Sequence, residues 1–560
     1  MSKEYEVIMR YHMTSAKLLW PALIVALTSC SGPTSNVGPT ALQAQRLPPT
    51  GLAHSGARSA ASGTTDWDTF GFDLERSGYN PNESVVGVNN VGTLQKVWSF
   101  NVGSAMVHEP VYAYGVKVKG VPTNILYAGS AGGATMYAIN ADTGKVVWQL
   151  KVPQVTYSCG GESSEFSIGE TPAIDRGKNL LYFADGHNKV RAVNLATGRM
   201  APGWPLMIAN YGPRDHNFMH GGFTYNSANG LLYAVTGSTC DLSPWHGRIV
   251  AINTQGSAPS IAGTFFTMSG NSMQGRSGAG IWGPGGGSID PATNNVFVAT
   301  GNADTTHGAS QHASYAEQVI ELSPNLSTIL ANNYPSNIPT VHGDDDFDFG
   351  ATPLLFQPTG CPALVAAMNK SGMLELYDES TISNGPVQYI PMSVPTDNAD
   401  FVGVPAYDPV TGYVYVGLPT TQGIYQPGMA ALSVASNCTL NTTPVWAAKF
   451  GPDGTADGVD DARSPISIAN GVVYVSNYTG NTEFAFNAAT GAQLWTVGLP
   501  NWGREGTVIA NGMVFVSAFN GVITAFAPAP SSKSRRKAPS TAEGIPATNV
   551  FIARPVGWPR

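Results

Sequence analysis

Between residues 344 and 348 the chain reads Asp344-Asp345-Asp346-Phe347-Asp348. Carboxylates crowded like this repel one another, and if turned toward a common point they bind Ca²⁺ readily. On an outward-facing loop the same residues are only a solvated acidic stretch. Glu162, Glu165 and Glu170 form a second acidic stretch, with Glu170-Thr171-Pro172 placed to open a strand. His216, His220 and His246 suggest metal ligation, but no regular ligand spacing links them. Lys370 precedes Ser371-Gly372, a hairpin-turn composition, and Asn302 follows an apolar strand and a glycine. Both are ordinary turn residues unless the fold brings them to one place. Several chemistries are absent altogether. There is no CxxC or HExxH for zinc, no G-x-S-x-G nucleophile elbow and no phosphate loop. There is also no CxxCH, so no covalently attached haem is expected.

The elements that must position these residues are strands. The chain has 560 residues with Gly 64 and Pro 40, while charged residues are only 12%. That is many turn formers and about half the usual charge. A hydrophobic content of 42% supplies ample core. Such a chain is all-β, because every strand reversal needs turn residues. Long helical bundles and coiled coils are excluded, and a net charge of −8 argues against a nucleic-acid partner.

The ends lie outside the folded body. Arg10 and Lys17 precede the apolar run Leu18–Leu27, which leads to Leu27-Thr28-Ser29-Cys30. This resembles a bacterial lipoprotein signal, with cleavage after residue 29 and lipid on Cys30; a plain secretory signal is the alternative. Either form exports the protein, the first leaving it lipid-anchored in the cell envelope and facing periplasm or exterior. Residues 30–65, rich in Ser, Gly and Pro, are expected to form a flexible tether, and the basic stretch 531–560 a disordered tail. In the body, Cys159, Cys240, Cys361 and Cys438 suit two disulfides in an exported chain, with three connectivities open.

One unit recurs through residues 66–530. Clear copies are Met136–Trp148, Phe484–Trp495 and Val190–Gly198 followed by Trp204. Each combines an alternating strand, a Thr-Gly turn and a tryptophan able to pack between neighbouring sheets. Units fall near 107–153, 165–209, 216–268, 278–336, 345–394, 398–451, 458–500 and 503–530. The last is one strand short, and 94–100 is a strand without a unit. The expectation is an eight-bladed β-propeller of four-stranded antiparallel blades, with the ring closed by pairing strand 94–100 with the last blade.

The repeat resembles that of pyrroloquinoline quinone (PQQ) propellers, a family including quinoprotein alcohol dehydrogenases and the outer-membrane assembly lipoprotein. Three segments resemble the dehydrogenase branch in order. Val296–Asn302 is similar to the strand whose asparagine binds calcium, which gives Asn302 that role. Asp346–Leu355 resembles the blade opening with the catalytic aspartate, here Asp348, with Asp346 second. Asn369-Lys370-Ser371-Gly372 resembles the segment giving the quinone a cation, Lys370. The resemblance thus implies PQQ and calcium as cofactors and an alcohol or sugar as substrate.

The chain also departs from that pattern. The family's vicinal cysteine pair is replaced by the single Cys159, and its glutamate calcium ligand has at best Asp241 as substitute. The tryptophan stacked under the quinone falls within Trp282–Gly287, where a glycine takes its place and leaves Trp282 displaced as the nearest candidate. Cys240–Arg248 resembles a stretch of exported PQQ-like propellers in which the cysteine pairs with one upstream. That implies Cys159–Cys240 and Cys361–Cys438. Two functions follow: a PQQ- and calcium-dependent dehydrogenase, or a non-catalytic envelope propeller that binds a protein or glycan. The first should gather Asn302, Asp348, Lys370 and an aromatic ring at an axial cavity. The second should leave the axis plugged and apolar residues exposed on blade edges.

Overall fold

The computed structural model describes residues 65–529 apart from 160, 214, 269–276, 308–313, 336–347, 395–402, 451–463 and 479. Asp346, Cys30, the signal segment and the basic tail therefore lie outside the described residues. Among the described residues, eight four-stranded antiparallel blades follow one another along the chain, the seventh extended by the short strand Tyr79–Asn80 paired parallel to its inner strand. Blade 1 runs Val111–Val118, Val121–Ala128, Thr135–Asn140 and Val146–Lys151. Blades 2 to 7 begin with inner strands at Ala173, Thr224, Ser288, Leu354, Ala406 and Ser467. Blade 8 takes three strands from Val508–Pro528 and its fourth from Leu94–Asn101, paired from Leu94↔Pro528 to Asn101↔Val522. The ring closes as expected, which removes the open sheet edges.

The repeat has a local physical cause. In the turn after the third strand, Asn140 Oδ1 accepts hydrogen bonds from the Asp142 and Thr143 amides and the Thr143 hydroxyl. Asn194 and Asn487 hold the equivalent turns in the same manner. The next residue is a left-handed glycine, Gly144 at φ 70°, Gly198 at 67° and Gly491 at 71°. A tryptophan from the preceding blade's fourth strand lies on that glycine and donates its indole N–H across the gap. The bonds are Trp98 to Ala141 O, Trp148 to Leu195 O and Trp446 to Ala488 O, at 2.8 to 2.9 Å. A Cβ on Gly491 would stand 2.6 Å from the Trp446 ring. Gly491→Ala is therefore expected to cost about 2–4 kcal/mol, from backbone strain and the displaced indole together. Gly498→Ala, at a strand position with nothing within 4 Å, should change the guanidinium unfolding midpoint little.

Burial grades outward within each blade. In blade 7 the second strand, Val472–Asn477, is buried throughout, whereas the fourth, Gln493–Gly498, has no fully buried residue. Alternation alone reads these strands as half-buried. Sandwiching between two neighbouring blades buries both faces of the inner strands instead, and the core is a ring of inter-blade layers.

Residues 65–80, which show no repeat, run across the axis and touch every blade in turn. Trp67 pairs with Tyr112 of blade 1, and Asp68 O accepts from Ile174 N of blade 2. Thr69 Oγ1 donates to Phe223 O at blade 3. Leu74, Glu75, Ser77 and Gly78 carbonyls accept from Ile289, Leu355, Tyr407 and Ile468 of blades 4 to 7. Asn80 Nδ2 donates to Ile509 O of blade 8. Arg76, fully buried, holds this plug together. Its Nη1 donates to Thr69 Oγ1 at 2.7 Å and Phe70 O at 2.8 Å, and its Nη2 to Gly287 O at 3.0 Å and to Thr224 Oγ1.

Candidate functional site

Above the plug, a cavity of about 240 Å³ is lined by Val107, His220, Ser238, Thr239, Cys240, Trp282, Pro284, Arg504 and Glu505. Val107, His220, Trp282, Pro284, Arg504 and Glu505 all lie on segments leading into inner strands, which sets the cavity on the axis where those strands begin. A second cavity of about 570 Å³ shares Val107, His220, Thr239 and Arg504 with it. This second space lies under a hairpin, Val155–Cys159 with Glu162–Phe166, that is additional to the eight blades. The Cys159–Cys240 disulfide ties that hairpin to blade 3, and Cys361–Cys438 joins loops of blades 5 and 6. Both pairings are as the resemblance implied.

Asn302, Asp348, Lys370 and Trp282 come together beside the cavity. Asp348 Oδ1 accepts from the Asn302 amide, and Asp348 Oδ2 pairs with Lys370 Nζ at 3.2 Å. Lys370 Nζ stands 5.5 Å from the centre of the Trp282 ring. Gly301 is what lets them meet, since a Cβ there would lie 2.8 Å from Asp348 Oδ1 and 3.0 Å from Trp282 Nε1. Trp282 faces the cavity, although sequence alignment alone displaces it from the stacking position. Its indole N–H is buried with no hydrogen-bond partner among the described residues. Asn302, Asp348 and Lys370 are not among the residues lining the 240 Å³ space.

The same geometry bears on calcium. Both Asp348 oxygens already accept from nitrogen donors, and Asp241 is exposed on a left-handed turn at φ 47°. Among the described residues no group of three or more His, Cys, Asp or Glu side chains is placed to hold a metal ion. These residues do not fit a calcium site, and no chemical step is derived through one. A planar anionic ligand fits better. Trp282 offers a ring, Arg504 a cation and Ser238 and Thr239 hydroxyls, all lining the same cavity.

The histidines separate. His246 Nδ1 bonds Asp215 at 2.9 Å, and His216 Nδ1 bonds Ser243 O at 3.1 Å. His220 lines both cavities and bonds Thr239 Oγ1 through Nε2 at 2.6 Å. Burial, with Arg504 nearby, pushes His220 down to about 3, so it is neutral at physiological pH. Glu170 is structural, accepting from Ala184 N at 2.6 Å and Gly169 N at 3.0 Å. Arg504 and Glu505 were not found by sequence reasoning. They belong to no motif and reach the cavity only because the last blade closes the ring.

An all-β, eight-bladed propeller with an axial cavity defines the class. Residues 67–207 match the family model described as glucose/ethanol/alcohol dehydrogenase, beta-propeller domain. Residues 436–533 match that of outer membrane protein assembly factor BamB. Two stretches of the chain thus carry repeats similar to those of both families. Among solved structures it is similar to the quinohemoprotein alcohol dehydrogenase of Comamonas testosteroni, at 16% identity over 84% of this chain and 82% of that one, with a TM-score of 0.61. A europium-containing methanol dehydrogenase is similar at 12% identity over 82% and 98%, also with a TM-score of 0.61. A quinohemoprotein alcohol dehydrogenase of Pseudomonas putida HK5 follows at 14% over 86% and 83%, with a TM-score of 0.59. Identities this low establish the shared fold alone. No curated protein matches the chain in sequence.

Proposed function

We propose that this is an exported dehydrogenase that holds a planar, polyanionic quinone of the PQQ type in its axial cavity and oxidises an alcohol or sugar. The observation that carries the proposal is the lining of that cavity, to which the Trp282 indole, the Arg504 cation and Cys240 of the Cys159–Cys240 bridge all contribute. The quinone, when bound, supplies the oxidising centre. Trp282 would give it a stacking face, and Arg504 would neutralise its carboxylates. Asp348, beside Trp282, is assigned the substrate's hydroxyl proton. Lys370, paired with Asp348, would hold that carboxylate ionised until the proton arrives and supply a second cation. Export accords with the two disulfides, which persist in oxidising compartments. A lipid on Cys30 would attach it to the membrane.

The plugged axis suits the alternative of a protein- or glycan-binding scaffold, and so do apolar residues exposed on blade edges, although these are spread one to a blade. Val97, Val146, Met207, Ile261 and Leu330 are exposed singly on the fourth strands of five different blades. Scattered residues of this kind do not make a docking patch.

Titration of the purified protein with PQQ, with and without calcium, tests the proposal through quinone absorbance and thermal stability. Saturable binding is expected, weakened at least tenfold by Trp282→Ala. A strict calcium requirement would point to ligands outside the described residues, such as Asp346. No binding at tens of micromolar PQQ would leave the scaffold as the reading to pursue.

A further inference from the structure

The larger space, of about 570 Å³, holds nothing in this scheme. It is open because side chains are missing from one side of it. Gly132 lines it between Ser104 and the hairpin, and a Cβ there would stand 3.4 Å from Ser104 Oγ and 3.6 Å from Glu165 O, at ordinary contact distance. On the other side, Tyr157 pairs with Ser164 and Thr156 with Glu165. Side chains alternate along each strand, so Tyr157, Ser164 and Phe166 share the inner face and are half-buried or buried. Thr156, Ser163 and Glu165 are exposed on the outer one.

The lining is held in place before any ligand arrives. Tyr157 and Phe166 pack edge-to-face on the buried Phe218, with ring centres 5.4 and 4.9 Å away at 74° and 88°. Phe519 lines the same space and stacks on Trp502 at 5.7 Å. Rings fixed in this way offer apolar area at little entropic cost. Polar groups stand among them. The Ser104 hydroxyl is buried with no hydrogen-bond partner among the described residues. Ser164 and Thr239 add hydroxyls, while Glu165 and Arg504 bring one charge of each sign.

These features select a ligand. Sugar rings lay C–H faces on aromatic rings and turn hydroxyls, which both donate and accept, toward polar groups. An acyl chain would pair none of those polar groups, and a polyanion would meet Glu165 as well as Arg504. The size sets a length. At ~30 Å³ per water the space has room for about 19 waters, which a one- or two-carbon alcohol would leave mostly in place and two joined sugar rings would displace. Val107, His220, Thr239 and Arg504 line both spaces, so a saccharide here reaches toward the smaller cavity.

We propose that the larger cavity binds a neutral oligosaccharide of at least two rings, with one end directed at the shared lining. Binding stands on this cavity alone, whereas use of that saccharide as the substrate rests on the dehydrogenase reading.

Calorimetric titration of the whole protein without PQQ tests the site, with maltose, cellobiose, lactose and diacetylchitobiose as probes beside their monosaccharides. At least one disaccharide is expected to bind saturably and at least tenfold more tightly than its monosaccharides. Gly132→Leu, whose side chain grows across the space between Ser104 and the hairpin, should weaken that binding at least tenfold. The guanidinium midpoint and PQQ affinity should stay unchanged, because Gly132 does not line the smaller cavity. No heat from any disaccharide at about 10 mM, ten times a 1 mM Kd, overturns the proposal. Binding no tighter than that of a monosaccharide does the same, as does binding that Gly132→Leu leaves intact. If Gly132→Leu fails to fold, Tyr157→Ala decides, a loss of at least tenfold supporting the site and a smaller one overturning it. Saccharide binding without PQQ binding would refute the quinone reading and keep the site. PQQ binding without saccharide binding would overturn the site alone.

Discussion

Arg76→Met is expected to destabilise the protein by about 3–5 kcal/mol, the range for removing one partner from a buried charge network. The side chain is fully buried and bridges the plug to blades 3 and 4 through Thr224 and Gly287. Methionine fills much of the volume but returns none of the hydrogen bonds. It also leaves Asp73, Glu109 and Asp68 without the cation they share. The guanidinium midpoint reads the loss, and proteolysis within 65–90 should accelerate as the plug detaches. Arg176→Met is the control. Arg176 pairs with Asp66 at 2.9 Å at a partly exposed site, and such pairs contribute about 1 kcal/mol or less. Equal losses in the two variants would mean that the plug does not anchor the ring.

Replacing both Cys159 and Cys240 with serine is expected to cost about 4 kcal/mol, because the bridge spans 81 residues and restricts the unfolded chain. Cys361 and Cys438 span 77 residues, so chain entropy gives their double replacement nearly the same cost. The cavity separates the two bridges. Cys159–Cys240 pins the Val155–Phe166 hairpin over the larger space and places Cys240 on the wall of the smaller one. Cys361–Cys438 joins loops away from both. Unfolding midpoints should fall together, while PQQ affinity should fall only for the first pair. Equal affinities in the two double variants would remove the disulfide from the binding wall.

Much of the architecture was legible because its causes are local. An asparagine-held turn, a left-handed glycine and a tryptophan recur within each unit of roughly fifty residues, so Asn140, Gly144 and Trp148 announce a blade wherever they stand. The unpaired strand 94–100 and the short last unit together imply their own pairing. Asn302, Asp348 and Lys370 were visible through motif resemblance, and the structure does bring them together. Trp282 was harder to place. Its position depends on Gly301 allowing two segments to touch, which no local spacing records.

Sequence by itself determined the blades, their number and the closure of the ring, since each rests on contacts within a unit or between consecutive ones. Only the tertiary structure decided the plug, the cavity and the company its residues keep. Residues 65–80 carry no periodic signal, because each touches a different blade rather than extending one sheet. Glu109 and Glu505 lie 396 positions apart in the chain, and the charge of one reaches the other only when blade 8 meets blade 1. Burial then sets their proton affinity, a property of the space around them rather than of any motif that contains them.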